Sequence, residues 1–209
     1  MFNVASARVL IPLFLLLAAC SESPKTETAK KEPEKPPEPL TGRQAFQRIY
    51  PQSRLWATDA EPLRLRNLPV AGVTAEKGKA GAWEVTFVSP SKGKSKTFTY
   101  SVVEAEGNLH QGVFGTSEDD YSLTAQHPSM PFQIAALKTD SDQAYDAAAE
   151  VSADYIKKNP DKPVSFLLEL NAKRHPDPTW RVIWGESIST SDYSVFVDAT
   201  TGKVVEKAH

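Results

Sequence analysis

After residue 40, the apolar residues of this chain follow two helical stripes and several alternating runs. Apolar residues spaced three or four positions apart predict amphipathic helices. The first stripe is Ala45, Phe46, Ile49 and Tyr50, before Pro51, and the second is Ala144, Ala148, Val151 and Tyr155, ending at Asn159-Pro160. We therefore expect one short and one longer helix, each burying a single face.

Strict alternation of apolar and polar residues predicts strands with one buried face. It occurs, in full or in part, in Trp83–Phe87, Phe132–Leu137, Val164–Leu170, Trp180–Trp184 and two β-rich runs from Phe98 and Tyr193. Each of the two β-rich runs continues into a glycine turn, at Gly107 or Gly202, and a return strand. On the Trp180 strand, the two tryptophans are expected to pack beneath a helix, and Arg181 to face the other way.

The pattern occurs twice. Thr41 and Asp140 lie 99 residues apart, and each is followed three positions later by a glutamine, which predicts a capping box at each helix start. Matching strands follow in the same order, as a diverged duplication would leave them. The fold class is therefore α+β: a unit over residues 41–120 and a second over 121–209, each a helix covering an antiparallel sheet. The sequence leaves open whether the two units share one sheet.

The first 20 residues have a different pattern. Arg8 precedes an apolar run, Val9–Leu17, about half the length needed to span a bilayer. Leu17-Ala18-Ala19-Cys20 resembles the lipobox of bacterial lipoproteins. The resemblance implies a signal peptide over residues 1–19, cleavage before Cys20 and lipidation of its thiol. The alternatives are an ordinary signal peptide or a buried core cysteine.

Residues 20–40 form the next segment, a predicted linker. Ser21–Pro39 holds five Pro, five Glu and four Lys and no large apolar residue. Such a composition cannot bury enough surface to fold, so we expect a disordered, extended tether. The alternative, which assigns the segment a more specific function, is a proline-rich ligand for a recognition domain. Because Cys20 is the only cysteine of the chain, no disulfide supports the folded part.

A family resemblance comes from the second unit. Its helix, the strand Trp180-Arg181-Val182 and the run Val195–Val204, with Asp198, Thr201 and Gly202, look like a PepSY-type domain. The first unit fits loosely, with Glu104 where aspartate is usual. The resemblance implies a small α+β binding module of secreted or envelope proteins, for which peptidase inhibition has been proposed.

No catalytic or metal-binding motif is found. The four histidines are scattered, Ser117 lacks the second glycine of a nucleophile elbow, and Glu118-Asp119-Asp120 lacks the alternating ligands of a calcium loop. We therefore predict no catalytic residue, no metal and no cofactor. The candidate binding residues are His175, Asp177 and Arg181, around a proline-containing loop and the strand after it.

The predicted function is that of a non-enzymatic binding module, anchored at the cell envelope through Cys20. Its partners are the membrane and a peptidase or another envelope protein. The net charge of −2 and the absence of a basic stripe give no electrostatic reason to expect nucleic-acid binding. Ser21, where aspartate would favour retention at the inner membrane, favours the outer membrane facing the periplasm if the host has two. The alternatives are a hydrolase of peptidoglycan or another envelope polymer and a carrier of a small apolar ligand.

Overall fold

A computed structural model describes residues 37–107, 109–122, 129–187, 189 and 191–208. Within them are three α-helices, α1 Gly42–Trp56, α2 Ser141–Glu150 and α3 Ala153–Lys158. Ten strands are described as well. They are β1 Leu40–Thr41, β2 Glu61–Leu68, β3 Lys79–Ala80, β4 Ala82–Ser89, β5 Lys94–Ser101, β6 Gly112–Asp120, β7 Val164–Glu169, β8 Thr179–Trp184, β9 Tyr193–Asp198 and β10 Val204–Ala208. The α+β class is confirmed.

Eight of these strands form one antiparallel sheet in the order β10-β9-β8-β7-β2-β4-β5-β6. The strands that follow α1 make one half and those that follow α2 make the other. The halves join where β2 pairs with β7, with Leu65 opposite Leu168. The question left open by the sequence is thus answered: one continuous sheet runs through both halves.

Both helices cover the same face of this sheet. Helix α1 packs on β4 and β5, and α2 packs on β8 and β9. One hydrophobic core lies between the helices and the sheet, and its large side chains include Trp83, Phe87, Phe166, Trp180 and Trp184. Trp180 and Trp184 are fully buried there, as the alternation predicted.

The starts of α1 and α2 meet above Trp83 and Trp180 of the core. Both predicted capping boxes are present, with Thr41 and Asp140 as the caps. The Asp140 carboxylate also crosses to α1, where it accepts from the Thr41 hydroxyl at 2.6 Å and from the Arg43 backbone N–H at 2.8 Å. One carboxylate therefore satisfies donors at the N-termini of two helices, where the helix dipoles favour negative charge.

The two tryptophans beneath this junction make equivalent bonds. The Trp83 indole N–H donates to the Leu40 carbonyl at 2.8 Å, and the Trp180 indole N–H donates to the Thr139 carbonyl at 2.9 Å. Each acceptor belongs to the residue just before a helix cap. The sequence correspondence between the halves thus extends to their buried hydrogen bonds.

Three expectations about individual elements were wrong. Residues 132–137 form no strand but contain a 3₁₀ turn, Ile134–Ala136, because the segment must turn between its Phe132 hydrogen bond to Pro62 of β2 and the cap at Asp140. Helix α1, expected to be the shorter helix, continues through Pro51 to Trp56, because Pro51 removes a single backbone donor and the last turn still closes through the Ala57 N–H to the Ser53 carbonyl. The second helical stripe is split at Val151 and Ser152, where the buried Ser152 hydroxyl bonds the Tyr193 hydroxyl at 2.9 Å.

The predicted signal peptide and Cys20 lie outside the described residues, as does most of the linker.

Candidate binding site on the open face of the sheet

The sheet face opposite the helices, called here the open face, carries mostly polar side chains. Alternation places them there, because their strand neighbours point into the core. The open face includes Arg64, Arg66, Glu84, Thr86, Thr97, Thr99, Ser165, Leu167, Glu169, Arg181, Ile183, Ser194 and Phe196. Within the described residues no helix covers this face. Leu167, Ile183, Ser194 and Phe196 are nevertheless buried among their neighbours, so the exposed side chains, such as Arg64 and Arg66, are the ones available for recognition.

Two guanidinium groups and an imidazole ring pack around Phe196 on the open face. The Arg174 guanidinium carbon lies 4.1 Å from the centre of the Phe196 ring, and that of Arg181 lies 5.3 Å away. The His175 ring lies 5.3 Å from the same ring, centre to centre. Cations are attracted to the face of an aromatic ring, so Phe196 fixes the positions of both guanidinium groups.

Glu206 on β10 neutralises one of the two arginines. Its carboxylate accepts two hydrogen bonds from Arg174, one of them from Nε at 2.8 Å, and lies 3.1 Å from His175 Nε2. The hydrogen bond from Arg174 holds the pKa of Glu206 below its usual value, and the same bond raises the pKa of Arg174. Arg174 and Glu206 therefore form a tight ion pair, with the His175 ring packed beside it.

Arg181 is held differently. Its Nε donates to the Ser194 hydroxyl at 3.0 Å, and the side chain is partly buried between β7 and β9. Burial lowers the pKa of Arg181, and the nearby charge of Arg174 lowers it further. Within the described residues, no carboxylate forms an ion pair with this guanidinium.

The three binding residues predicted from sequence have different surroundings. His175 and Arg181 come together around Phe196, and Arg181 faces away from Trp180 as expected. His175 is 9% exposed, so it lies beneath the surface rather than on a rim. Asp177 is exposed in the loop before β8 and is not part of the Phe196 cluster.

Two depressions lie next to each other on the open face. The larger has a volume of about 470 Å³ and the smaller about 320 Å³, and Arg64 lines both. The larger one is mostly polar, with hydroxyls of Thr86 and Thr97 and carboxylates of Asp119, Asp120 and Glu169. Their sizes fall in the range of small-molecule and side-chain pockets, roughly 300–1,000 Å³.

The described residues contain no cluster of three or more His, Cys, Asp or Glu placed to hold a metal ion. Among the same residues, no helix has the length and apolar character needed to cross a membrane. In the larger depression, a hydrogen bond from Lys94 lowers the pKa of Asp120. That shift suits an ion-pair partner and is the opposite of what a general acid requires.

The Phe196 cluster was only partly visible in the sequence. Alternation in Tyr193–Asp198 places Phe196 on the face opposite Tyr193, next to the outward-facing Arg181, and this signal was overlooked. Arg174 and Glu206 are 32 residues apart in the chain, and no local sequence pattern predicts that they pair. The depressions depend on the joining of β2 to β7, which the sequence left open.

No protein-family model, curated protein or solved structure matches this chain.

Proposed function

We propose that this protein is a lipid-anchored envelope protein whose folded part is a non-catalytic binding module. The observation that carries the proposal is the open face: a broad polar sheet surface with an ordered arginine–phenylalanine cluster and two adjoining depressions. A peptidase or another envelope protein is the proposed partner.

The anchor rests on the sequence around Cys20. A thiol placed directly after small residues and an apolar run is suited to lipid attachment. One acyl chain holds a protein to a membrane only marginally, whereas two or three hold it firmly. The charged linker then gives the folded part reach, and confinement at the membrane raises its effective concentration near envelope partners.

The tandem PepSY-like organisation is part of the same proposal. It is supported by the two capping boxes, by the equivalent tryptophan bonds and by the same element order in both halves. The Asp198–Lys203 turn fits as well, because the Asp198 carboxylate accepts from the Thr200 and Thr201 N–H groups, at 2.7 and 2.8 Å. These hydrogen bonds also give the motif a structural role in forming the turn. We therefore place the proposed binding surface on the open face and not on this turn.

Site-specific photo-cross-linking in intact cells tests the binding surface. A photoreactive phenylalanine analogue would replace Arg64 on the open face or, as the matched control, the exposed Gln47 on α1. We expect a discrete cross-linked partner from position 64 and none from position 47. Equal products from both positions would refute recognition by the open face, and the absence of products from both would refute stable protein binding.

Membrane fractionation tests the anchor separately. Cys20→Ala is expected to release the protein into the soluble fraction, whereas Ser23→Ala, which leaves the thiol in place, is expected to leave it in the membrane. Unchanged membrane association of Cys20→Ala would refute lipidation.

A hydrolase of envelope polymer is the second candidate, because the larger depression brings carboxylates of Asp119, Asp120 and Glu169 to one site. Paired carboxylates are the usual requirement for glycoside hydrolysis. Incubation of the purified protein with peptidoglycan sacculi would decide this: release of soluble fragments, lost in Glu169→Gln, would establish hydrolysis. The apolar-ligand carrier is disfavoured, since Trp83, Trp180 and Phe87 fill the space between helices and sheet.

A further inference from the structure

The two arginines that stack on Phe196 differ in one respect that points to a ligand. Arg174 has a carboxylate partner in Glu206, whereas Arg181 has none among the described residues. We infer that Arg181 binds a carboxylate supplied by the partner, an acidic side chain or a C-terminus of an envelope protein. This inference rests on the proposed function and names the chemistry of its ligand.

The cost of burying an unpaired cation supports the inference. A guanidinium removed from water loses hydration, and an opposing charge is the usual compensation. Burial lowers the pKa of Arg181, whereas the hydrogen bond to Glu206 raises that of Arg174. Glu169 and Glu206 also favour the Arg181 cation, but neither forms an ion pair with it.

The Arg181 side chain is already arranged for binding. Its Nε bond to Ser194 and its contact with Phe196 fix the plane of the guanidinium. Arginine has five N–H donors, so the terminal amino groups keep four, which have no hydrogen-bond partner among the described residues. A carboxylate accepts such donors in pairs, and little conformational freedom is lost because the arginine is held in place beforehand.

The neighbours of Arg181 suggest what else the ligand carries. On the open face, Leu167 lies across from Arg181 on β7, and Ile183 lies two residues further along β8. Both also line the smaller depression. Leu167 and Ile183 are only 4% and 2% exposed, so they offer a narrow apolar floor, and a carboxylate on a short apolar chain is the ligand chemistry that fits it. Exposed Arg64 is solvated and has no comparable need of a partner.

Butyrate is a direct probe, because it combines a carboxylate with a short apolar chain. The lipidated full-length protein would be labelled with ¹⁵N on arginine and titrated with butyrate in detergent at constant ionic strength. The Arg181 Nε–H signal, assigned by its absence in Arg181→Lys, should shift saturably with butyrate and not with butanamide. The Arg48 signal is the internal control, because Arg48 stacks on Tyr100 on the helix side. Equal responses of Arg181 to butyrate and butanamide, or of Arg181 and Arg48 to butyrate, would overturn the inference.

The cross-linking experiment separates failure of this inference from failure of the proposed function. We expect Arg181→Gln to lose the cross-linked partner and Arg48→Gln to keep it. A partner captured equally by both variants would leave the binding module standing and refute the role of Arg181. Conversely, saturable butyrate binding with no captured partner would support the carboxylate site and refute stable protein recognition.

Discussion

At the scale of single residues, Asp140 makes more structural connections than its position as a helix cap requires. It is 6% exposed and accepts hydrogen bonds from the Ser141 N–H of its own helix and from Thr41 and Arg43 of the other. The buried Ser141 hydroxyl extends the junction, accepting from the Gly42 N–H and donating to the Gly78 carbonyl. Both halves of the molecule therefore depend on one carboxylate.

Asp140→Ala is expected to lower the free energy of unfolding by about 2–4 kcal/mol, because it removes a helix cap and leaves buried donors unsatisfied. Denaturant unfolding followed by circular dichroism would measure the change. Asp146→Ala, on an exposed position of the same helix, should leave stability nearly unchanged. A similar midpoint for both variants would show that Asp140 does not connect the helices.

Asp59 gives the molecule an acid sensitivity. Hydrogen bonds from the hydroxyl of Ser89 and the N–H of Ser91 lower its pKa from 3.8 to about 2. Because the folded-state pKa is the lower one, the carboxylate stabilises the fold above about pH 4, and that contribution is lost as the pH falls towards 2.

Melting temperatures between pH 5 and pH 2 check this. In Asp59→Asn the decrease with falling pH should be smaller than in the unchanged protein, while Asp146→Asn should follow the unchanged protein. A parallel decrease in all three would mean that other carboxylates account for the acid sensitivity.

At the scale of elements, the sequence correctly predicted the features that depend on residues close together in the chain. Both capping boxes, the inward face of Trp180 and Trp184 and the glycine turns at Gly107 and Gly202, both with positive φ, are confirmed. The errors at residues 132–137 and at Ser152 have a tertiary cause. There the chain follows bonds to Pro62, Ala199 and Tyr193, which lie far away in sequence.

The candidate site shows the same limit. The outward direction of Arg181 follows from alternation on β8, and Phe196 could have been placed beside it by alternation on β9. The partner of Arg174 could not, because Glu206 approaches only when β10 pairs with β9 at the sheet edge. Local pattern thus predicts which residues face outward, and the strand order decides which of them meet.

The segment that precedes β3 offers a test of element docking. Gly72 and Gly78 both have positive φ, of 77° and 80°. A Cβ on Gly78 would lie 2.4 Å from the backbone of Asp142 at the start of α2, whereas a Cβ on Gly72 would meet nothing within 4 Å. The two glycines are therefore matched in backbone strain and differ in contact.

Gly72→Ala should cost about 1–2 kcal/mol from the left-handed backbone alone. Gly78→Ala should cost clearly more, because the segment must also move away from α2 and break the bond between Ser141 and the Gly78 carbonyl. Thermal unfolding of the two variants would measure the difference. Equal losses would indicate that this segment does not dock on α2.

At the scale of the whole molecule, the joining of β2 to β7 makes the two halves one structure. Without that pairing each half would present an unpaired strand edge, which can pair with another chain, and would expose apolar side chains of its core to water, which is unfavourable. The shared core and the Asp140 junction also stabilise the association of the two halves. A continuous sheet across both halves is also what keeps Arg64, Arg181 and Phe196 on one face, the surface proposed for binding.

This organisation predicts a single cooperative unfolding transition. Leu168→Ala, a fully buried change on β7, should cost about 2–5 kcal/mol. Hydrogen exchange followed by mass spectrometry should then accelerate equally in β4 and β5 of the first half and in β8 and β9 of the second. Val205→Ala, at a position 46% exposed on the edge strand β10, should leave exchange in all four strands unchanged. Faster exchange confined to β8 and β9 would mean that the halves unfold separately. The open face would then be two surfaces that move independently, and a partner spanning Arg64 and Arg181 would have to hold them together.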